Sequence, residues 1–207
     1  MARSCLCLSA LGPAPLRPSV GPHDCHRPTN NEMLIYLDAN IVQYCAEEED
    51  FIFGGSDTCK APDPRLKKEL VALRRLAELE QLGDWHFAAS SHLMAELLSG
   101  RPRPHQREVY KVLREAWKES VYSEDLAQSE GEMRSIEQSL SVLTLRHTPD
   151  RRHLAEALAL NASWFLTNDK ELINKANRAK VKGVLRGMQV CRPSECLPGI
   201  STGLFLR

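Results

Sequence analysis

The sequence predicts an α/β protein with three layers, in which helices cover both faces of a central parallel sheet of about four to five strands. Short apolar runs of strand length alternate along the chain with longer segments of helical period. Strands separated by helices form right-handed crossovers, and such crossovers make the sheet parallel. The first apolar run is continuous, as expected for a strand that is buried on both faces.

Five apolar segments are candidate strands. The first comprises residues 34–37, and the others comprise residues 85–89, 120–122, 164–167 and 188–191. Helical patterns fill the intervals between them. One pattern begins at Pro64 and places Leu66, Leu70, Leu73 and Ala77 on one stripe. The others follow the Pro-rich turn at 101–107, cover roughly residues 126–143, and cover residues 150–160.

Composition indicates a globular protein with one hydrophobic core. A chain of 207 residues with 43% hydrophobic content can bury one good core and little more than one domain. No segment approaches the roughly 20 apolar residues that cross a bilayer, so we expect no membrane partner. Basic and acidic residues number 27 each, so any indication of a nucleic-acid partner must be local.

The seven cysteines form no disulfide framework, which indicates reduced thiols and a cytoplasmic location. Two sets are conceivable zinc ligands, namely Cys191 with Cys196, or Cys5, Cys7 and Cys25 with His23 and His26. Neither set contains a CxxC pair or a matching second half, so zinc is not favoured.

Residues 1–32 are expected to form a disordered leader. They hold five of the twelve prolines and three of the seven cysteines and show no regular period. Their apolar stretch at 5–11 is at the short limit for a secretion signal. Met33 directly precedes the first strand and is an alternative start of translation. The expected domain then comprises residues 33–198, with a C-terminal tail at 199–207.

Four acidic residues are placed to meet at one edge of the predicted sheet. Asp38 ends the run MLIYLD and Asp169 ends the run WFLTND, so both follow a strand. Ligands of parallel sheets bind beyond these C-terminal strand ends. Glu96 lies about a turn and a half into the helix after the second strand, and Asp150 opens its helix at the positive end of the dipole. Such carboxylates suit Mg²⁺ or Mn²⁺ and predict metal-assisted phosphoryl chemistry.

Five motifs give the chain a family resemblance. LDAN at 37–40, MAELL at 94–98, DRRHLAEAL at 150–158, NASWFLTND at 161–169 and VCRPSECL at 190–197 together resemble the PIN-domain nucleases, and among them the VapC-type toxin ribonucleases. The resemblance covers about residues 33–197 and is weak between 101 and 149.

The resemblance implies a metal-dependent endoribonuclease, with RNA as substrate and an antitoxin protein as a partner of the toxin-type members. It implies that Asp38, Glu96, Asp150 and Asp169 are the catalytic, metal-binding acids, with Asn40, Thr167 and Asn168 as supporting polar residues. His153 is expected to pack in the core without binding metal. Glu156 stands where the family often has a small or hydroxyl residue, and we expect it to be a solvated helix residue rather than an additional acid near the site.

Two basic segments are candidates for phosphate binding. Arg101, Arg103 and Arg107 follow the Glu96 helix. Residues 170–186 carry six basic residues against Glu171 alone, a local charge of six minus one, or plus five, and the candidates among them are Lys175, Arg178, Lys180 and Lys182. Such contacts give affinity without base specificity. A solvated charged helix is the alternative explanation.

The interval 47–83 is an insertion relative to the smallest toxin-type members. It contains the acidic patch Glu47, Glu48, Glu49 and Asp50, then a loop and a Leu-rich helix. It could shape an RNA groove, form a homodimer contact or receive a partner protein. The sequence leaves three further functions open, namely a non-toxin RNA-processing nuclease, a silent RNA- or protein-binding domain, and a DxD phosphatase, which Asn40 disfavours.

Overall fold

Four parallel strands form one sheet in the computed structural model, which describes residues 33–80, 85–118, 130–145, 148–178 and 183–205. The strands are β1 (Met33–Leu37), β2 (Trp85–Ala88), β3 (Trp164–Leu166) and β4 (Gln189–Cys191). Their spatial order is β2-β1-β3-β4, and all three pairings are parallel. The predicted α/β class with a parallel sheet is confirmed, while the candidate strand at 120–122 and the predicted leader lie outside the described residues.

Helices follow each of the strands. They are α1 (Ala39–Glu47), α2 (Glu49–Ile52), α3 (Pro64–Glu80), α4 (Ser91–Ser99), α5 (Pro104–Lys118), α6 (Glu130–Ser139), α7 (Thr148–Ala159), α8 (Lys170–Ala176) and α9 (Pro193–Phe205). The pattern expected at 126–143 divides into α6 and a 3₁₀ turn at Leu140–Leu143. In the described part of the chain, no helix is both long and apolar enough to cross a membrane.

Helices cover both faces of the sheet, as a three-layer fold requires. On one face α3 and α9 pack together, because Glu69 of α3 accepts hydrogen bonds from the backbone and hydroxyl of Ser194, both at 2.9 Å. On the opposite face, α7 brings Glu156 to Tyr36 of β1. Tyr36 stacks on Phe165 of β3, with ring centroids 5.4 Å apart. Strands β1 and β3 are therefore enclosed between two helical layers.

Three helices were not predicted from the sequence, namely α1, α2 and α9. Helix α1 begins directly after Asp38, which caps its N-terminus. Helix α9 runs across the boundary expected at 198 between domain and tail, and its Ile200 is 3% exposed. Residues just beyond 198 therefore contribute to the core.

Candidate metal centre

The candidate site lies where β1 and β3 end. Strand order makes this point a topological switch, because the chain passes from β1 to β2 on one side and later adds β3 on the other. Ligands of open parallel sheets bind in the crevice at such a point. The segments that follow β1 and β3 are joined here by a hydrogen bond, in which the Asp38 backbone N–H donates to the Leu166 carbonyl at 3.0 Å. Asp38 and Thr167 consequently stand side by side.

The Asp38 carboxylate is buried, with 6% exposure, and is fixed by three donors. Its Oδ1 accepts from the Ala39 backbone N–H at 2.8 Å. Its Oδ2 accepts from the Thr167 hydroxyl at 2.6 Å and from the Asn40 amide at 2.5 Å. Oδ2 thus has both of its lone pairs engaged, whereas Oδ1 retains acceptor capacity.

Asn40 and Thr167 also brace the two loops against each other. The Asn40 amide donates to Thr167 Oγ1, and Asn40 Oδ1 accepts from the Asn168 backbone N–H, both at 3.0 Å. Thr167 Oγ1 further accepts from the Asp169 backbone N–H at 3.0 Å. Asn168 contributes its backbone here, since its own side-chain oxygen is buried without a partner.

Asp169 serves as the N-cap of α8. Its Oδ1 accepts from the backbone N–H groups of Glu171 and Leu172, at 2.7 and 3.1 Å. Among the described residues, none donates a hydrogen bond to Oδ2. The cap fixes the direction of the carboxylate and leaves one oxygen for a ligand.

His153 stands between two of the predicted acids. Its Nδ1 lies 3.7 Å from Asp38 Oδ1, and its Nε2 lies 3.3 Å from Glu96 Oε2. The predicted burial of His153 is confirmed, at 2% exposure, but its nitrogens face carboxylates instead of apolar groups. Burial lowers the pKa of the imidazole, yet Asp38, Glu156 and Glu96 outweigh that effect and raise its pKa above the usual value.

Asp150 and Glu96 lie on two different helices, α7 and α4. Asp150 lies in the first turn of α7, one turn before His153 and therefore on the same face. Glu96 lies in the second turn of α4, and its side chain is 46% exposed. This exposure leaves the Glu96 carboxylate room to change rotamer.

The expectation that Glu156 is solvated was wrong, because this residue is 2% exposed. Its Oε2 accepts from the Ser90 hydroxyl at 2.6 Å and from the Tyr36 hydroxyl at 3.1 Å. Its Oε1 accepts from Arg152 Nε at 3.1 Å. Burial and the nearby Glu156 charge raise the pKa of Tyr36 well above its usual value. The usable sequence signal was the i, i+3 spacing from His153 together with Arg152 four residues earlier.

The carboxylate oxygens and the imidazole nitrogen of the site are of the chemical types that bind a hard or borderline divalent cation. Among the side chains that the structure describes, however, no group of three or more His, Cys, Asp or Glu forms a ready metal cage. His153 lies between Asp38 and Glu96, and Asp169 is turned toward its own helix. Exposed Glu96 is therefore the acid best able to move toward a cation.

The Arg-rich segment lies beside an acidic one. Arg101, Arg103 and Arg107 are exposed around the start of α5. This end of α5 meets the end of α1, where Gln106 donates to Glu47 at 3.2 Å and His105 lies 3.6 Å from Glu49. The neighbouring carboxylates reduce the positive potential that these arginines offer to a phosphate backbone.

The basic residues of the second segment, residues 170–186, differ in their exposure to solvent. Lys175 is only 14% exposed, donates to the Thr144 carbonyl at 2.7 Å and pairs with Glu171 at 2.6 Å. These contacts leave Lys175 poorly available to phosphate. Arg178 is exposed, whereas Lys180 and Lys182 lie outside the described residues.

Of the thiols that were weighed as zinc ligands, Cys191 and Cys196 are buried, whereas Cys5, Cys7 and Cys25 lie outside the described residues. Cys191 ends β4 and Cys196 lies in the first turns of α9. A hydrogen bond with Cys191, together with burial, raises the pKa of Cys196 far above its usual range.

Comparisons with family models, curated proteins and solved structures find no match to this chain. The functional argument therefore depends on the chain's own residues and their geometry.

Proposed function

We propose that this chain is an endoribonuclease of the PIN type that uses Mg²⁺ or Mn²⁺. The observation that carries the proposal is the position of Asp38. Its buried carboxylate lies at the switch point of the sheet, held by Thr167 and Asn40, with Asp169 two residues beyond Thr167. Buried carboxylates with fixed orientation at such a crevice are suited to bind a ligand cation.

The four acidic residues would have two different roles in binding the cation. Asp38 and Asp169 are fixed by hydrogen bonds and would anchor the cation. Glu96 and Asp150 lie on α4 and α7 and would complete the set. When bound, the cation would lower the pKa of a water molecule and stabilise charge on the phosphodiester.

RNA is the substrate that the acidic site and the basic residues support together. Arg178 follows the helix that Asp169 caps, so an exposed cation lies on an element that starts at the site. Its contact with phosphate would add affinity without base specificity. The narrower assignment is a cytoplasmic toxin ribonuclease with an antitoxin partner, and a homodimer is a further assembly to test.

The decisive experiment compares RNA cleavage by the wild type and by Asp169→Asn, in buffers containing Mg²⁺ or Mn²⁺. Asp57→Asn is the matched control, because the Asp57 side chain is 99% exposed and lies on the loop before α3. We expect loss of cleavage in Asp169→Asn and normal cleavage in Asp57→Asn. Equal cleavage by all three folded proteins would remove Asp169 from the catalytic site.

One observation favours a second candidate, a catalytically silent RNA- or protein-binding domain. The described residues present no ready metal cage, and Asp38 faces a histidine in its place. A silent domain would bind RNA equally well with and without divalent cations and would cut none. Wild-type protein that binds Mn²⁺ and cleaves RNA would exclude this candidate.

A further inference from the structure

The edge of the sheet that carries the candidate site continues onto β4. Strand β4 pairs with β3 in parallel, and beyond the last paired position the Thr167 backbone N–H donates to the Cys191 carbonyl at 3.0 Å. Arg192 follows Cys191 directly, and neighbouring strands lie about 4.8 Å apart. The backbone of Arg192 therefore lies about one strand spacing from the segment 167–169 of the candidate site.

Arg192 carries a charge that the local fold does not require. It immediately precedes α9, and its carbonyl accepts from the Cys196 backbone N–H at 3.0 Å. Such N-cap positions favour Ser, Thr, Asp or Asn, and a cation at this end of a helix is unfavourable. Glu195 bonds to the backbone N–H of Arg192 at 3.1 Å. In the described part of the chain, the guanidinium of half-buried Arg192 has no ion pair, so it is available to an anion.

A second arginine, Arg65, lies at the same edge on α3. This helix crosses over from β1 to the start of the parallel strand β2, so it begins at the edge where β1 ends. Glu69 lies one turn after Arg65 on the same face and accepts hydrogen bonds from Ser194 of α9, both at 2.9 Å. The start of α3 is therefore held beside the start of α9, and Arg65 is exposed there.

Lys170 connects these arginines to the acidic residues. It is the first residue of α8, directly after Asp169, and its side chain is exposed. Among the residues that the structure describes, neither Lys170 nor Arg65 has a side-chain ion pair. Lys170, Arg192 and Arg65 thus lie in this order from the end of β3, past the end of β4, to the start of α3. We call these three residues the edge cations.

Three carboxylates near the edge cations supply a competing explanation for them. Asp63, Glu69 and Glu195 each accept a backbone N–H at the start of α3 or α9, at 2.9 to 3.1 Å. The start of a helix carries a positive partial charge of about half an elementary charge, which offsets a carboxylate bound there. The helix starts therefore take up part of this negative charge, and the edge cations retain attraction for an anion from solvent.

We propose that the phosphate backbone of single-stranded RNA runs along the edge cations, from Lys170 past Arg192 to Arg65, on the β4 side of the candidate site. This inference rests on RNA as the ligand of the proposed function, and it requires no metal ion. Charge complementarity selects the occupant, because a row of cations suits a strand that carries a negative charge on each phosphate. Such contacts fix the position of the strand without reading its bases.

The test measures binding of a fluorescently labelled single-stranded RNA to the full-length protein by anisotropy, in EDTA and over a range of salt concentrations. EDTA removes divalent cations, so binding is measured apart from cleavage and from any metal site. Lys170→Gln, Arg192→Gln and Arg65→Gln should each reduce the slope of log affinity against log salt concentration by about 0.7. The same exponent corresponds to binding about fivefold weaker at about 0.1 M salt.

Arg75→Gln is the matched control, because Arg75 lies on the same helix about 15 Å beyond Arg65 and is paired with Glu78 at 2.8 Å. It should leave both affinity and slope unchanged. Arg192→Lys keeps the charge and should keep the slope. If Arg192 only balances the neighbouring carboxylates, Arg192→Gln would lower Tm and leave the slope unchanged, which would overturn its role in RNA binding. Circular dichroism checks that each variant is folded.

The outcomes separate this inference from the proposed function. Wild-type protein that cleaves RNA, but whose binding of RNA is unchanged in all three Gln variants, would overturn the edge cations alone. Binding that these variants weaken, in a protein that cleaves no RNA with Mg²⁺ or Mn²⁺, would support the edge cations and overturn the nuclease. Wild-type protein that binds no RNA would overturn both. Polyglutamate that displaces the labelled strand as well as unlabelled RNA does would overturn RNA as the occupant and indicate an acidic protein segment.

Discussion

Replacing Asp169 with Asn removes one negative charge from the site and preserves the local fold. Asp169 Oδ1 accepts from Glu171 and Leu172 at the start of α8. Asn is as good an N-cap as Asp, since its side-chain oxygen accepts the same bonds. The substitution therefore separates the ligand role of the carboxylate from its capping role.

The expected loss of stability is small. The cap is retained, and the lost interaction of the charge with the helix dipole is worth about 0.3–1 kcal/mol. For a chain of 207 residues, each 1 kcal/mol corresponds to about 2–4 °C in Tm, so the melting temperature should fall by about 1–4 °C. The loss of activity should be far larger. Changes to groups that merely support metal ligands cost about 10–100-fold, so loss of a ligand should cost at least about 100-fold.

The assay combines RNA cleavage with thermal melting followed by circular dichroism. Asp38→Asn provides the contrast, because its amide would face the N–H and O–H donors that now hold both carboxylate oxygens. A donor placed against a donor loses a hydrogen bond, so this variant should be destabilised by about 1–3 kcal/mol. It should also lose cleavage.

Cleavage by a folded Asp169→Asn protein within about threefold of the wild-type rate would refute the reasoning, because loss of a metal ligand should cost at least about 100-fold. A fall in Tm of about 10 °C or more, about two and a half times the upper estimate, would refute the capping argument.

Three further predictions follow from the same geometry. Glu156→Gln should lower the free energy of unfolding by about 1–3 kcal/mol, because it removes one buried carboxylate oxygen that accepts from Ser90, Tyr36 or Arg152. The control Glu108→Gln, at an exposed position, should change it by less than about 0.5 kcal/mol. Denaturant unfolding measures both variants, and equal losses would contradict burial as the cause. The folded-state pKa of His153 is raised, so the residue contributes stability that is fully present below about pH 6.5 and is lost as pH rises through that pKa. The difference in Tm between wild type and His153→Gln, measured from pH 5 to about 9, should therefore shrink with rising pH. A constant or growing difference would contradict the raised pKa. Arg178→Gln should reduce the slope of log affinity for single-stranded RNA against log salt concentration by about 0.7. Lys175→Met should lower Tm and leave that slope unchanged. A slope that changes in Lys175→Met and not in Arg178→Gln would place Lys175, instead of Arg178, in contact with RNA.

The sequence by itself determined the sheet and the placement of acids along it. Continuous apolar runs separated by helical stripes sufficed to predict β1 to β4 and the parallel order, because strand burial and crossover handedness are local consequences of pattern. Asp38 follows β1 directly and Asp169 follows β3 after Thr167 and Asn168, so the sheet itself brings their loops together.

Other features depended on tertiary structure because they involve partners far apart in the chain. Glu156 is buried because Tyr36 and Ser90, 120 and 66 residues away, supply donors that offset its desolvation. Lys175 is withdrawn from solvent by the carbonyl of Thr144, a backbone group that no side-chain pattern reveals.

The environment of His153 shows the same division most clearly. Helical spacing placed it toward the core, and burial follows from that spacing alone. What the imidazole faces was decided by the packing of α7 against β1 and α4, which set its nitrogens beside Asp38 and Glu96. The helical period of the sequence determines which side of a helix is buried. The charged groups that face a buried residue lie on other elements, so they are known only from the tertiary structure.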